Sequence, residues 1–237
     1  TARVTTPFRT ESVARPLANR RMIRCTRRLY SGRSGRSGTI TWRLLTEAGA
    51  EHRAFPPGAG WAYSNIGYLF VRELIERRSG LDLERAIRAL VADPLGLASV
   101  RLARPDDFAS LAPGYDPGWV FHGCLVGTPV DAVRFLRGLA DGTLLDHKAR
   151  AAMGVRHRLG GAVPGRPWTD HGYGLGLMSG AMGDAGRAIG HSGGGPGASA
   201  AVYHFPDAPR APTVAVFRAG EDASCAEWDA ARLARDA

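Results

Sequence analysis

The sequence predicts an α+β domain, a helix-covered antiparallel sheet beside a mainly helical lobe. Two observations predict it. Amphipathic helical stretches follow one another between residues 63 and 139, and strand-like segments with a closing helix take over towards the end of the chain. No repeat interrupts this order, so the 237 residues read as a single domain, long enough to bury a core. The expected parts are an arginine-rich segment over 1–38, a mainly helical lobe over 60–170, and sheet strands with a C-terminal helix over 171–237.

The first helix follows Tyr63, with Ile66, Leu69, Phe70 and Leu74 on one face and Gly80 as its stop. Asp82 is placed to cap a second helix whose apolar stripe is Leu83, Ala86, Ile87, Leu90 and Val91, ended by Asp93-Pro94. Thr128-Pro129 opens a third, with Thr as cap, Pro at the first position and Val133, Leu136 and Leu139 inward. Residues 99–127 and 141–170 are rich in Gly, Pro and Asp and read as loops with short helices. Segments 188–191, 199–205 and 213–217 read as strands, and PDAPRAP (206–212) turns the last two into an antiparallel hairpin. A final helix starts near Asp222 and runs through Trp228 and Leu233.

Composition excludes several classes. Hydrophobic residues make up 44% and charged residues 22%, ordinary globular usage that rules out a wholly disordered or fibrous chain. No run of about 18 apolar residues exists, so a membrane-spanning helix is excluded. Cys25, Cys124 and Cys225 are odd in number and far apart, which gives neither a disulfide framework nor metal-ligand spacing. No metal or cofactor is expected. Thr1 opens the chain without a charged-then-apolar leader, which reads as a signal peptide absent or removed, or as a fragment.

The net charge of +9 is local. Residues 1–38 hold ten arginines and one acid, Glu11, while the rest of the chain balances. Such an arm attracts anions, but RRMIRCTRRLYSGRSGRSG has no readout motif and Tyr30 as its one aromatic. No specific nucleic-acid partner is expected; a solvated segment is the plainer reading.

Three motifs carry chemistry. The first is FRTESVAR, where Arg15 follows Ser12 by three residues. The second is PPGAGWAYSN, ending in Tyr63-Ser64-Asn65. The third is YGLGL (173–177) followed by GHSGGGPG (190–197). In this order they resemble the serine β-lactamase and penicillin-binding superfamily, in its class C β-lactamase, D-aminopeptidase and esterase branch. ITWRLLTEAGA (40–50), PLGL (94–97) and TPVDAVRFL (128–136) fit the same branch, although Glu47 stands where histidine is usual. Each motif alone is weak; ordered together they are specific for the family and less so for the substrate.

The resemblance implies a β-lactamase/transpeptidase-like sheet with helices and a helical lobe. It also implies a serine hydrolase that opens amide or ester bonds through an acyl-enzyme, on a small-molecule or peptide substrate. Ser12 takes the place of the nucleophile; taken alone it reads as a helix cap or surface serine. Arg15 takes the place of the family lysine. A guanidinium stays protonated, so it cannot serve as base and is left to supply positive charge. Tyr63 matches the tyrosine that moves protons to and from the nucleophile, which requires a lowered pKa; the plain alternative is a buried tyrosine with a satisfied hydroxyl. Asn65 is placed to bind a substrate amide, or to cap a helix. His191, Ser192 and Gly193 match the H-x-G element. There His191 orients substrate or Tyr63, and the glycine lets a substrate backbone approach the strand. A backbone N–H beyond this strand, with that of Ser12, is expected to form an oxyanion hole worth about 3 kcal/mol per donor.

Three departures from the family accompany these matches. Seven residues precede Phe8, so the N-terminal strands of the family sheet are expected to be missing, leaving an open sheet edge. The resemblance implies an apolar, buried helix carrying the nucleophile, but residues 16–30 place Arg20, Arg21, Arg24, Arg27 and Arg28 there, charges that cannot be buried unpaired. With Arg15 at the lysine position, activity is expected to be impaired; the alternative is a catalytically inactive homologue or ligand-binding protein of the same fold. Family members are often extracytoplasmic, and the compartment stays open.

Overall fold

The computed structural model describes Gly49, His52 and residues 54–111, 122–195 and 197–237. Within them the fold is α+β, with a six-stranded antiparallel sheet flanked by helices. Helix α1 (Asn65–Ser79) starts where Ser64 accepts from the Gly67 N–H, and ends at Gly80 in the left-handed conformation, φ 70°. Ser64, rather than Asn65, is the cap. Only Leu69 of the predicted stripe is fully buried, and Leu74 is 55% exposed.

Asp82 caps α2 (Leu83–Ile87) as expected, accepting from the Arg85 N–H. The helix does not stop at Asp93-Pro94. A π-helical turn spans Arg88–Ala92, and a last turn (Asp93–Leu95) ends at Gly96, φ 62°. The wider turn rotates the following residues out of the predicted register, and Leu90 is 58% exposed.

Strand β1 (Arg101–Leu102) pairs antiparallel with β2 (Leu125–Val126), and α3 (Pro105–Leu111) follows β1. Helix α4 (Pro129–Asp141) has the predicted Thr128 cap, with Pro129 in its first turn and Leu136 and Leu139 buried. Its buried Asp131 accepts from the Ser99 N–H at 3.2 Å and from the Ser99 hydroxyl, tying α4 to the loop before β1. Helix α5 (His147–Gly154) is capped by Asp146.

The sheet is a meander of neighbouring hairpins: β3 (His157–Gly160), β4 (Asp170–Tyr173), β5 (Met178–Ala181), β6 (Arg187–Gly195), β7 (Ala198–His204) and β8 (Thr213–Ala219). It begins earlier than the 188–191 strand predicted from the sequence. DHGY and MSGA are short and hold glycine, so they lack the β-branched alternation that marks a strand. The predicted hairpin over 199–217 is present, in register from Ala198↔Ala219 to His204↔Thr213.

Helix α6 (Ala223–Arg235), capped by Asp222, packs against β6, β7 and β8. Its inward face is Ala226, Glu227, Ala230, Ala231 and Ala234, whereas Trp228 and Leu233 face outward. Small side chains bring the helix backbone close to the sheet. The alanines meet Trp168, Met182, Ala188, Ala201, Tyr203 and Phe205 in the main core. Each fully buried large apolar side chain there stabilises the fold by roughly 1.5–3 kcal/mol. Helix α4 packs against β7 and β8. Among the described residues β8 is the last strand of the sheet, and no helix is long and apolar enough to cross a membrane.

Candidate active site

Tyr63 stands two residues before α1, where the Ser64 cap turns extended chain into helix. Its phenol donates to Asn65 Oδ1 at 2.6 Å. The Tyr63 and Tyr68 ring centroids lie 5.9 Å apart, so a pair of phenols flanks the start of α1. Just upstream, Trp61 packs on Tyr173 of β4 with centroids 4.6 Å apart. That contact seats the entry to α1 on the end of the sheet.

Tyr173 also meets His191 of β6, edge to face at 5.4 Å, and its hydroxyl bonds to His191 Nε2. The other nitrogen, Nδ1, lies 2.7 Å from the Ser192 carbonyl oxygen. A carbonyl only accepts, so Nδ1 carries the proton, Nε2 is the acceptor, and the Tyr173 phenol donates to it. Tyr68 in turn acts on the Tyr173 phenol, so Tyr63 is linked to His191 by way of Tyr68 and Tyr173.

Burial dominates the protonation states. It pushes the Tyr63 phenol above its ordinary value, with Tyr68 adding to the effect. Burial raises Tyr173 too, with Tyr68 and Tyr63 contributing. His191 is lowered to about 4 by burial, against the smaller opposing effect of its bond to Ser192. At neutral pH the imidazole is therefore neutral, with both nitrogens engaged. The lowered Tyr63 pKa that proton transfer requires is not what the surroundings of Tyr63 in the described residues produce. His191 lends its neighbours no positive charge in this state.

Ser192 and Gly193 follow His191 on β6 and are both buried. The Ser192 hydroxyl points inward, donating to Glu227 of α6 at 2.6 Å and accepting from Arg166 Nη2 at 2.9 Å. The motif places Ser192 among the substrate-binding residues; here its hydroxyl is committed to Arg166 and Glu227. Gly190 is required by packing, because a Cβ there would sit 2.0 Å from the Val202 carbonyl oxygen. Ser12 and Arg15 lie outside the described residues, as does Glu47.

Four site residues escaped the sequence reading. Tyr68 sits in a helix where its aromatic character looks like ordinary core. Tyr173 stands in the YGLGL motif, but nothing in the motif pairs it with His191. Arg166 lies in a loop with no periodicity. Glu227 did leave a signal: it shares a helical face with Ala230, Ala231 and Ala234, the spacing of a buried acid that needs partners.

A family model described as Beta-lactamase matches residues 26–236; Ser12 and Arg15 precede that span. No curated protein sequence shows a significant match to the chain. Among solved structures, the D-amino acid amidase from Ochrobactrum anthropi SV3 is similar at 20% identity and TM-score 0.67, covering 88% of this chain and 67% of its own. A D-stereospecific amidohydrolase from Streptomyces sp. is 24% identical with TM-score 0.60, covering 81% and 59%. A penicillin binding protein from Bacillus halodurans is 15% identical with TM-score 0.60, covering 81% and 61%. At these identities the likeness shows the fold, and the chain spans roughly three fifths to two thirds of the length of these structures.

Proposed function

Because the chain belongs to the beta-lactamase family, we propose that it is a serine hydrolase of amide or ester bonds working through an acyl-enzyme. Ser12 Oγ adds to the substrate carbonyl carbon and loses its proton. The tetrahedral oxyanion collapses and expels an amine or alcohol, which takes up the proton. Water then cleaves the Ser12 ester, releasing the acid and restoring the hydroxyl. Tyr63 relays these protons, and Asn65 holds its hydroxyl in place. Tyr173 and His191 form the wall behind it, and His191 acts through Tyr173. Gly193 leaves the β6 backbone open to the substrate. The D-amino acid amidase and D-stereospecific amidohydrolase among the similar structures favour small amides or peptides as substrates.

The observation that carries this reading is the linkage of Tyr63 to His191, distant in the chain, by way of Tyr68 and Tyr173. Turnover is slow, because Arg15 cannot accept the serine proton and burial holds Tyr63 protonated. Those two features favour a second reading, a ligand-binding homologue without turnover. Intact-protein mass spectrometry after incubation with a fluorophosphonate or a penicillin separates the two. One adduct on the wild type and none on Ser12→Ala supports the hydrolase. An unmodified wild type, or equal labelling of Ser12→Ala, overturns it.

A further inference from the structure

Helix α4 buries Leu136 and Leu139 and packs against β7 and β8. By the helical period, Val130, Val133 and Arg137 lie on the side turned away from those two leucines. That side borders a groove of about 600 Å³, walled by Leu95 from the last turn of α2. Leu95, Val130, Val133 and Gly138 make its lining mostly apolar. Gly138 lets the two helices close on one another, because a Cβ there would lie 2.4 Å from Leu95 Cδ2. Val130 is 58% exposed, so the apolar surface is open to a ligand.

Arg134 and Arg137 line the same groove, three residues apart on α4. Like charges at that spacing repel each other. Arg134 reaches Asp131 only at 3.9 Å, and Asp131 is already held by Ser99. Arg137 makes no hydrogen bond or ion pair among the described residues, and acts at longer range on Asp141 and His204. Asp141 commits Oδ1 to the Thr143 N–H at 2.9 Å and to the Thr143 hydroxyl at 2.7 Å, and it also faces Arg150. The groove therefore joins an apolar floor to a net positive rim.

We propose that this groove binds an amphipathic carboxylate, a free alkyl acid whose chain lies on Leu95, Val130 and Val133 and whose head is held by Arg134 and Arg137. The apolar floor alone would not choose between an alcohol and an acid. A guanidinium does, since it offers a carboxylate two parallel N–H donors. From Val130 to Arg137 the helix rises about 10 Å, room for a chain of medium length. The volume is that of a small-molecule site. One groove beside one helix offers far less than the roughly 800 Å² per partner of a stable protein interface. The arginine-rich segment over 1–38 has the sign of the rim, which disfavours it as occupant. Tyr63, Tyr173 and His191 do not line the groove, so the site stands independently of the hydrolase reading.

The test is calorimetric titration of the full chain with octanoate and with its uncharged match, octan-1-ol. The wild type is expected to bind the acid at least about tenfold more tightly. Arg134→Gln/Arg137→Gln, two exposed substitutions, should weaken octanoate at least about tenfold and octanol less than about twofold. Val130→Asp should weaken both. Ser12→Ala should bind as the wild type does. Amide shifts of the nitrogen-15-labelled wild type need no variant, and octanoate should move Leu95 and residues 129–143. Absence of octanoate binding, or an unchanged affinity in the double arginine variant, overturns the proposal. Shifts at Tyr63 and His191 in place of α4 put the ligand in the candidate active site and overturn it too. A dimer in sedimentation that Val130→Asp dissociates, with no octanoate bound, gives the groove to a second copy and likewise refutes it.

Discussion

The Tyr173 phenol donates to Nε2 of His191, while Nδ1 of the same ring donates to the Ser192 carbonyl. One imidazole thus carries two commitments that fix its tautomer. Tyr173→Phe strips Nε2 of its donor inside a buried site. The expected cost is about 1–3 kcal/mol, read as a lower urea midpoint with unchanged slope. Nitrogen-15 spectra of the wild type should show a neutral ring protonated at Nδ1; a ring protonated at Nε2 would contradict the assignment.

The same ring gives a pH dependence. Its pKa is lowered to about 4 in the folded protein, against 6.5 for the free group, chiefly by burial. Between these values the unfolded chain binds a proton that the folded chain refuses, so stability falls as pH drops from 6.5 to 4. The expected loss from this ring is on the order of 3 kcal/mol. His122 and His204 are lowered by burial as well and act in the same direction. The informative quantity is therefore the difference in urea stability between wild type and His191→Gln at pH 7 and at pH 4.5. His191→Gln should show the shallower decline.

Arg15 occupies the position where the resemblance places a lysine. Arg15→Lys restores a group able to give up its proton when desolvated. The expected result is at least a tenfold rise in the rate of Ser12 acylation by a chromogenic ester, with little change in thermal stability. An unchanged rate would separate Arg15 from the chemistry.

Gly190 faces the β7 backbone so closely that a Cβ would lie 2.0 Å from the Val202 oxygen and 2.8 Å from Tyr203 Cα. Gly190→Ala therefore cannot be absorbed by a side-chain rotation and must part β6 from β7. A loss of several kcal/mol is expected, seen as a collapse of the thermal midpoint in circular dichroism. Gly80→Ala has open space around its Cβ. It should cost far less, of order 1 kcal/mol, from its left-handed backbone alone.

What could be read from the chain was local. Asp82, Thr128 and Asp222 announced their helices because a cap is a bond between neighbours in sequence. The 206–212 turn announced its hairpin for the same reason. Tyr63 and His191 were found through their motifs, and the link between them runs through Tyr68 and Tyr173, contacts without sequence signature. The π-helical turn over Arg88–Ala92 has no marker in RALVA, and it moved Leu90 to the surface. Ser192 looked like a substrate contact until its partner, Glu227, was placed thirty-five positions later.

That separation bears on the order in which the molecule assembles during synthesis. Strands β4 to β7 can pair as soon as they leave the ribosome, since each joins its immediate predecessor. Arg166, Trp168, Ser192 and Tyr203 must nonetheless wait for an acceptor that has yet to be translated. Until α6 docks, the site strand is a nascent hairpin with wet, unanchored polar groups along its back, and proteases or chaperones meet it in that form.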